Sequence, residues 1–318
     1  MGRTTVDFFW ICDANYAHFL ELGVASALYF HPDATLYVYD LCDSPSEKIA
    51  AIAARYPSVK IVPWPEKRWV RLPLANTIDF SYYMPNWNLR DELKYWSRKI
   101  RYAVTSRRKS DWIVNKTEWM NNQRRKILVW AQKAACAADC LSRSENNLIF
   151  LDADAIPLCA LHDVFEKEFD VALTLRRIPD VRVGLDKGVK MSLPLPYHAV
   201  NAGVLFFKKG TKSFSFVDVW ASKMQVVPYH MAEQTALSML CLDADVDAFR
   251  QYEKNLSLNL PGDESVIIQL LSCDIFNNTY LDDCSNIPAG VKVAHFKGYL
   301  HQDIYFSRIS KAILARLA

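Results

Sequence analysis

Asn147-Leu-Ile-Phe-Leu-Asp152-Ala-Asp154-Ala-Ile-Pro-Leu158 is the stretch on which the reading of this chain turns. Its apolar run predicts a strand over Asn147–Leu151, buried on both faces. Two carboxylates one residue apart stand where that strand leaves its sheet. Like charges so close are costly unless a cation neutralises them. Oxygen ligands suit a hard ion such as Mg²⁺ or Mn²⁺. Taken alone, the pair is equally a solvated acidic loop.

Toward the N-terminus the pattern alternates. Val6–Cys12 reads as a buried parallel strand, Tyr16–Phe30 as a helix and Thr35–Tyr39 as a strand. Ser46–Tyr56 reads as a helix capped by Ser44 or Ser46, and Val59–Val62 as a strand. Strand, helix, strand, helix, strand implies a parallel sheet covered on both faces, with ligands beyond the carboxyl ends of its strands.

Between residues 64 and 125 lies a mainly helical insertion rich in Trp, Lys and Arg, including Trp64, Trp69, Trp87, Arg98, Arg107 and Arg108. It is read either as an acceptor-shaping or docking element or as a plain helical cap. Beyond it, Lys126–Leu141 reads as a helix, Val171–Leu175 and Ala199–Phe207 as strands. Helices are expected near 213–224, 231–242 and 263–272, and a strand over Val291–Ala294. The C-terminal segment, residues 304–318, is basic and amphipathic, and is read as a terminal helix packed on the domain or as a contact with anionic lipid.

The composition bounds the class. With 318 residues, 51% hydrophobic and 23% charged, the chain can bury a full core and is not disordered. A net charge of +3 gives no reason to expect a nucleic-acid partner. No apolar run is long enough for a membrane span, and the N-terminus does not read as a signal peptide. The eight cysteines are scattered, which predicts reduced thiols and a cytoplasmic protein. Three Asn-X-Ser/Thr triplets, at Asn115, Asn255 and Asn277-Asn278, carry no weight without a secretory context.

Three downstream clusters add chemistry. Asn201-Ala-Gly203 enters a strand, offering an amide and a residue without a side chain. Glu233-Gln234 opens a helix with one charged and one neutral acceptor. His295, directly after an apolar strand, can place a ring nitrogen on a metal.

In this order, Asp13-Ala-Asn15-Tyr16, Asp152-Ala153-Asp154, Asn201-Ala-Gly203, Glu233-Gln234 and His295-Phe-Lys-Gly298 resemble the GT-A-fold glycosyltransferases. The likeness is greatest to glycosyltransferase family 8, whose members include glycogenin and bacterial lipo-oligosaccharide galactosyltransferases. It spans residues 6–62 and about 126–303. The resemblance implies an α/β Rossmann-like domain over 1–318, with a mixed, mostly parallel sheet flanked by helices. It also implies a metal-dependent hexosyltransferase that retains anomeric configuration, with a UDP-sugar as donor and a glycan or other hydroxyl as acceptor.

Position by position, the resemblance implies that Asp13, Asn15 and Tyr16 contact the nucleotide. It gives Asp152, Asp154 and His295 to Mn²⁺ or Mg²⁺, with Asp152 and Ala153 beside the donor. Gly298 meets the diphosphate, Lys133 meets phosphate or sugar, and Asn201, Gly203, Glu233 and Gln234 surround the transferred sugar. Three departures stand out: Glu233 where the family has Asp, His301 where it has a phosphate-binding Lys, and Gln302-Asp303 where it has Pro-Trp. Peripheral membrane contact is open to the insertion or to the C-terminal segment. The alternatives are a haloacid-dehalogenase-type phosphatase using the D-x-D, a sugar nucleotidyltransferase, and a binding-only protein with a decayed site.

Overall fold

A computed structural model describes residues 4–41, 46–62, 116–177, 199–227, 231–279, 287–296 and 303–317; for 116–129, 303–305 and 316–317 the backbone alone is described. Gly298, His301, Lys297 and most of the insertion, with Trp64, Trp69, Trp87, Arg98, Arg107 and Arg108, lie outside the described residues.

The N-terminal half folds as the hydrophobic pattern demands. Strand β1 (Val6–Cys12) leads to helix α1 (Ala17–Phe30), strand β2 (Leu36–Asp40), helix α2 (Glu47–Arg55) and strand β3 (Val59–Val62). Ser46 caps α2, its hydroxyl accepting from the Ile49 N–H. Helix α3 (Lys116–Arg143) begins well before the expected Lys126, so the last part of the expected insertion belongs to it. Strand β4 (Asn147–Asp152) and the three-residue strand β5 (Ala155–Pro157) follow.

Strands β6 (Val171–Leu175) and β7 (Val200–Phe207) precede helices α4 (Thr211–Gln225) and α5 (Ala232–Ala244). Strands β8 (Asn255–Asn259) and β9 (Ser265–Ser272), a short helix α6 (Cys273–Phe276), strand β10 (Val293–His295) and helix α7 (Asp303–Leu317) complete the chain.

One expectation fails. The helix expected over 263–272 is strand β9, pairing parallel with β6. Val266, Ile267 and Ile268 are β-branched and suit a pleated strand, and a short apolar run cannot be told from a buried helix by period alone.

The main sheet has eight strands in the order β3-β2-β1-β4-β7-β6-β9-β8. It is mixed and mostly parallel, with helices on both faces, as expected. Phe9, Tyr39 and Phe150 face the layer that includes α3, α4 and α5, whereas Phe8, Trp10 and Ile149 face α1 and α2. Burial on both faces is why Phe8–Cys12 of β1 and Leu148–Leu151 of β4 read as unbroken apolar runs. The pairings run β1, β2, β3, β4, β6 and β9 in one direction. Their carboxyl ends therefore share one edge, where β7 begins.

Helix α7 packs Ile309 and Ile313 against Phe19, Leu22 and Phe296, while Leu314 stays exposed. Among the described residues no helix is long and apolar enough to cross a membrane. Cys136, Cys140 and Cys241 are buried free thiols.

Candidate active site at the carboxyl edge of the sheet

Asp152 ends β4, and Asp154 lies two residues on, just before β5. Strand β5 pairs antiparallel with β10 in a separate two-stranded sheet, placing His295 opposite Ala155. The Phe296 N–H donates to the Asp154 carbonyl at 2.9 Å, locking the register. This small sheet joins residues far apart in the chain: His295 Nε2 lies 3.1 Å from Asp154 Oδ1 and 3.7 Å from Asp152 Oδ2. One ligand atom from each of the three lies within 4.8 Å of the others.

The tautomer of His295 follows from its surroundings. Nδ1 lies 2.7 Å from Asn277 Oδ1. Asn277 Nδ2 donates to Thr174 Oγ1 at 2.8 Å and to the Asn201 carbonyl at 3.3 Å. Thr174 Oγ1 spends its own proton on that carbonyl, at 2.7 Å. Turning the amide over would set its oxygen against these acceptors, so Oδ1 faces the ring and Nδ1 carries the hydrogen. Nε2 is left toward Asp152 and Asp154. Three acceptor atoms so placed could hold a metal ion between them.

Gly203 serves this ring. The pairing of β6 with β7 shifts register between Leu173 and Thr174, which drops Ala202-Gly203-Val204 from that ladder. A Cβ on Gly203 would come within 2.4 Å of His295 Cε1, 2.7 Å of Nδ1 and 3.1 Å of Asp152 Oδ2. The missing side chain thus makes room for the imidazole.

Lys133, on α3, is buried, with its ammonium 2.8 Å from Asp152 Oδ1, 3.2 Å from the Ala202 carbonyl and over the Phe150 ring. Ala153 and Asp154 are buried, while Asp152 is half-buried. Asp13 Oδ1 accepts from the backbone N–H groups of Asn15, at 2.8 Å, and Tyr16, at 3.2 Å, closing the turn that starts α1. Asn15 is exposed. The Tyr16 phenol is pushed up to about 12, by burial first and then by Asp154, Asp13 and Asp152, which places it beside the acidic cluster.

Glu233 and Gln234 lie in the first turn of α5. Glu233 is buried; burial raises its pKa and the nearby Lys133 opposes the shift. Its carbonyl accepts from Trp220 Nε1 at 3.0 Å, and its Oε1 from Gln234 Nε2 at 3.3 Å. Gln234 Oε1 accepts from Arg176 Nη2 at 2.9 Å. Asn201 is buried, its Oδ1 accepting from the Gly203 N–H at 3.1 Å.

Asp13, Tyr16, Lys133, Asp152, Asp154, Asn201, Gly203, Glu233, Gln234 and His295 thus belong to one neighbourhood. Sequence reasoning missed Asn277 and Arg176. Asn277 was passed over inside a sequon-like triplet, although it is fully buried. Arg176 directly follows β6 at the ligand-bearing edge, a position that could have flagged it. A groove of about 410 Å³ lined by Val219, Lys223, Leu240 and Leu258 lies against β8 and contains none of these residues.

No protein-family model matches the chain, and no curated protein matches it. Among solved structures it is similar to the bifunctional glycosyltransferase WbbM, with 12% identity and a TM-score of 0.48, over 99% of this chain and 52% of that one. The chain therefore spans about half the length of WbbM. It is similar to the galactosyltransferase LgtC, solved with donor and acceptor sugar analogues, with 16% identity and a TM-score of 0.47, over 97% of this chain and 95% of that one. Mouse xyloside xylosyltransferase 1 gives 12% identity and a TM-score of 0.43, over 92% of this chain and 98% of that one.

Proposed function

We propose that this chain is a metal-dependent glycosyltransferase that moves a hexose from a nucleotide-diphosphate sugar, with uridine as the base, to an acceptor hydroxyl with retention of configuration. The observation that carries the reading is the convergence of Asp152, Asp154 and His295 Nε2, with the ring's tautomer set by Asn277. Two carboxylates and one imidazole fit a hard divalent ion, Mn²⁺ or Mg²⁺. When bound, such an ion supplies Lewis-acid stabilisation of charge on a leaving diphosphate.

The chain's own residues do the rest. Asp13, Asn15 and Tyr16, where β1 runs into α1, bind the nucleotide, with Tyr16 neutral at physiological pH. Lys133 holds one oxygen of Asp152 and keeps it oriented, and its charge lies close to where donor phosphate enters. Asn201 and Gln234 bound the sugar; one lone pair of Gln234 Oε1 is engaged by Arg176, and the second is free to face the anomeric centre. Glu233 is the other group available to the anomeric centre, as stabiliser or as nucleophile. Burial raises its pKa while Lys133 opposes the shift, and Glu233→Gln kinetics separate the two roles. Gly298 and His301, by resemblance, add contacts to the diphosphate.

The test is a panel of nucleotide sugars followed by thermal shift and by release of nucleoside diphosphate, with and without EDTA. The account expects one donor to stabilise the protein in the presence of Mn²⁺, and turnover lost with EDTA or in Asp154→Ala. Turnover unaffected by EDTA would remove the metal's role, and NMR of the product anomer decides retention.

A further inference from the structure

Among the described residues, Lys133, Arg176 and Arg177 stand near the carboxyl edge of the sheet, and two of these three have acidic partners. Lys133 pairs with Asp152 at 2.8 Å, and Arg177 with Asp274 at 2.6 Å. Arg176 is different. Its backbone N–H extends the ladder one step beyond β6, donating to the Ala199 carbonyl at 2.9 Å. Its half-buried guanidinium donates through Nη2 to Gln234 Oε1, a neutral group. Among the described residues no carboxylate pairs with it, and its Nε, itself buried, has no acceptor.

A second orphan lies next to it. Asn201, facing Thr174 across the β6–β7 ladder, has a buried Nδ2 with no acceptor. Two unsatisfied donors, one of them charged, thus stand on neighbouring strands at the end of the site held by Gln234. Buried donors without acceptors are rare and costly, and point to a missing acceptor. Orienting Gln234 would need only one neutral donor. A guanidinium instead offers a planar fork that matches a carboxylate.

From this juxtaposition we infer that Arg176, with Asn201 beside it, binds a carboxylate on the sugar substrate, so that the enzyme handles a hexuronate. The inference rests on the glycosyltransferase reading above. The carboxylate comes either from the transferred sugar of the donor or from an acidic residue of the acceptor glycan.

Calorimetry in the presence of Mn²⁺ separates the sources. One arm compares UDP-glucuronate and UDP-galacturonate with UDP-glucose and UDP-galactose. The other compares an oligogalacturonide with a neutral oligosaccharide on the UDP-loaded protein. The expected result is an acidic ligand binding about 10–100-fold tighter than its neutral counterpart in one arm. Arg176→Gln erases that difference, and Arg176→Lys keeps part of it; circular dichroism verifies folding, and the Lys variant carries the test if the Gln variant does not fold. Equal affinity for acidic and neutral ligands in both arms, with UDP still bound, overturns the assignment of Arg176 and leaves the wider reading standing. A preference that persists in a folded Arg176→Gln overturns it as well. Failure of UDP to bind removes both.

Discussion

Asn277 Oδ1 lies 2.7 Å from His295 Nδ1 and makes Nε2 the nitrogen that faces Asp152 and Asp154. The interaction is wholly buried, and its amide is pinned in turn by Thr174 and the Asn201 carbonyl. Partners of this kind commonly control metal affinity by one to two orders of magnitude. Asn277→Leu is expected to weaken Mn²⁺ binding by about 10–100-fold. Asn277→Asp, which still accepts from Nδ1, restores most of it. Calorimetric titration of each folded variant checks this, and equal affinities would show that Asn277 has no such role.

Gly203→Ala should be among the most damaging conservative changes in the chain. Its Cβ would fall 2.4 Å from the buried His295 ring, with no flexible end to give way. Overpacking of this sort costs about 1–3 kcal/mol. The expected outcome is a lowered Tm together with loss of Mn²⁺ binding, as the ring is pushed from the carboxylates.

Lys133→Met separates stability from metal affinity. The ammonium is a positive charge already resting on Asp152. Removing one partner of a buried pair costs about 3–5 kcal/mol, an upper figure here because Asp152 is half-buried. The metal-free protein should therefore melt earlier, while the rise in Tm on adding Mn²⁺ grows. Thermal melts with and without the ion decide it, and parallel losses in both would contradict the electrostatic account.

Glu233 sets a pH dependence. Its pKa in the folded protein is raised by burial, so between the ordinary carboxylate pKa and the raised value the folded state holds more protons than the unfolded one. Stability then falls as pH rises through that window. Glu233→Gln removes the slope and leaves the protein more stable than the parent above it. Melting temperatures across pH 4–8, at about one-unit steps, read the sign.

Strands buried on both faces were legible because burial removes polar alternation: β1 and β6 have their expected ends. Asp152, Asp154 and His295 were legible by residue type and by position at strand ends. The device that unites them was not. Strand β5 is three residues long and leaves no period to detect, yet it is what carries His295 to Asp154. β9 was misread because its short apolar run fits a buried helix and a buried strand alike. Asn277 and Arg176 have ordinary side chains whose meaning arises only from partners distant in sequence, which no local pattern encodes.

The most direct measurement is a Mn²⁺ titration of the parent chain and of Asp154→Ala and His295→Ala, followed by electron paramagnetic resonance. The account predicts one tightly held ion per chain in the parent, and its loss in both variants with their circular dichroism unchanged. No bound ion in the parent, or the same ion bound as tightly in either variant, would contradict it.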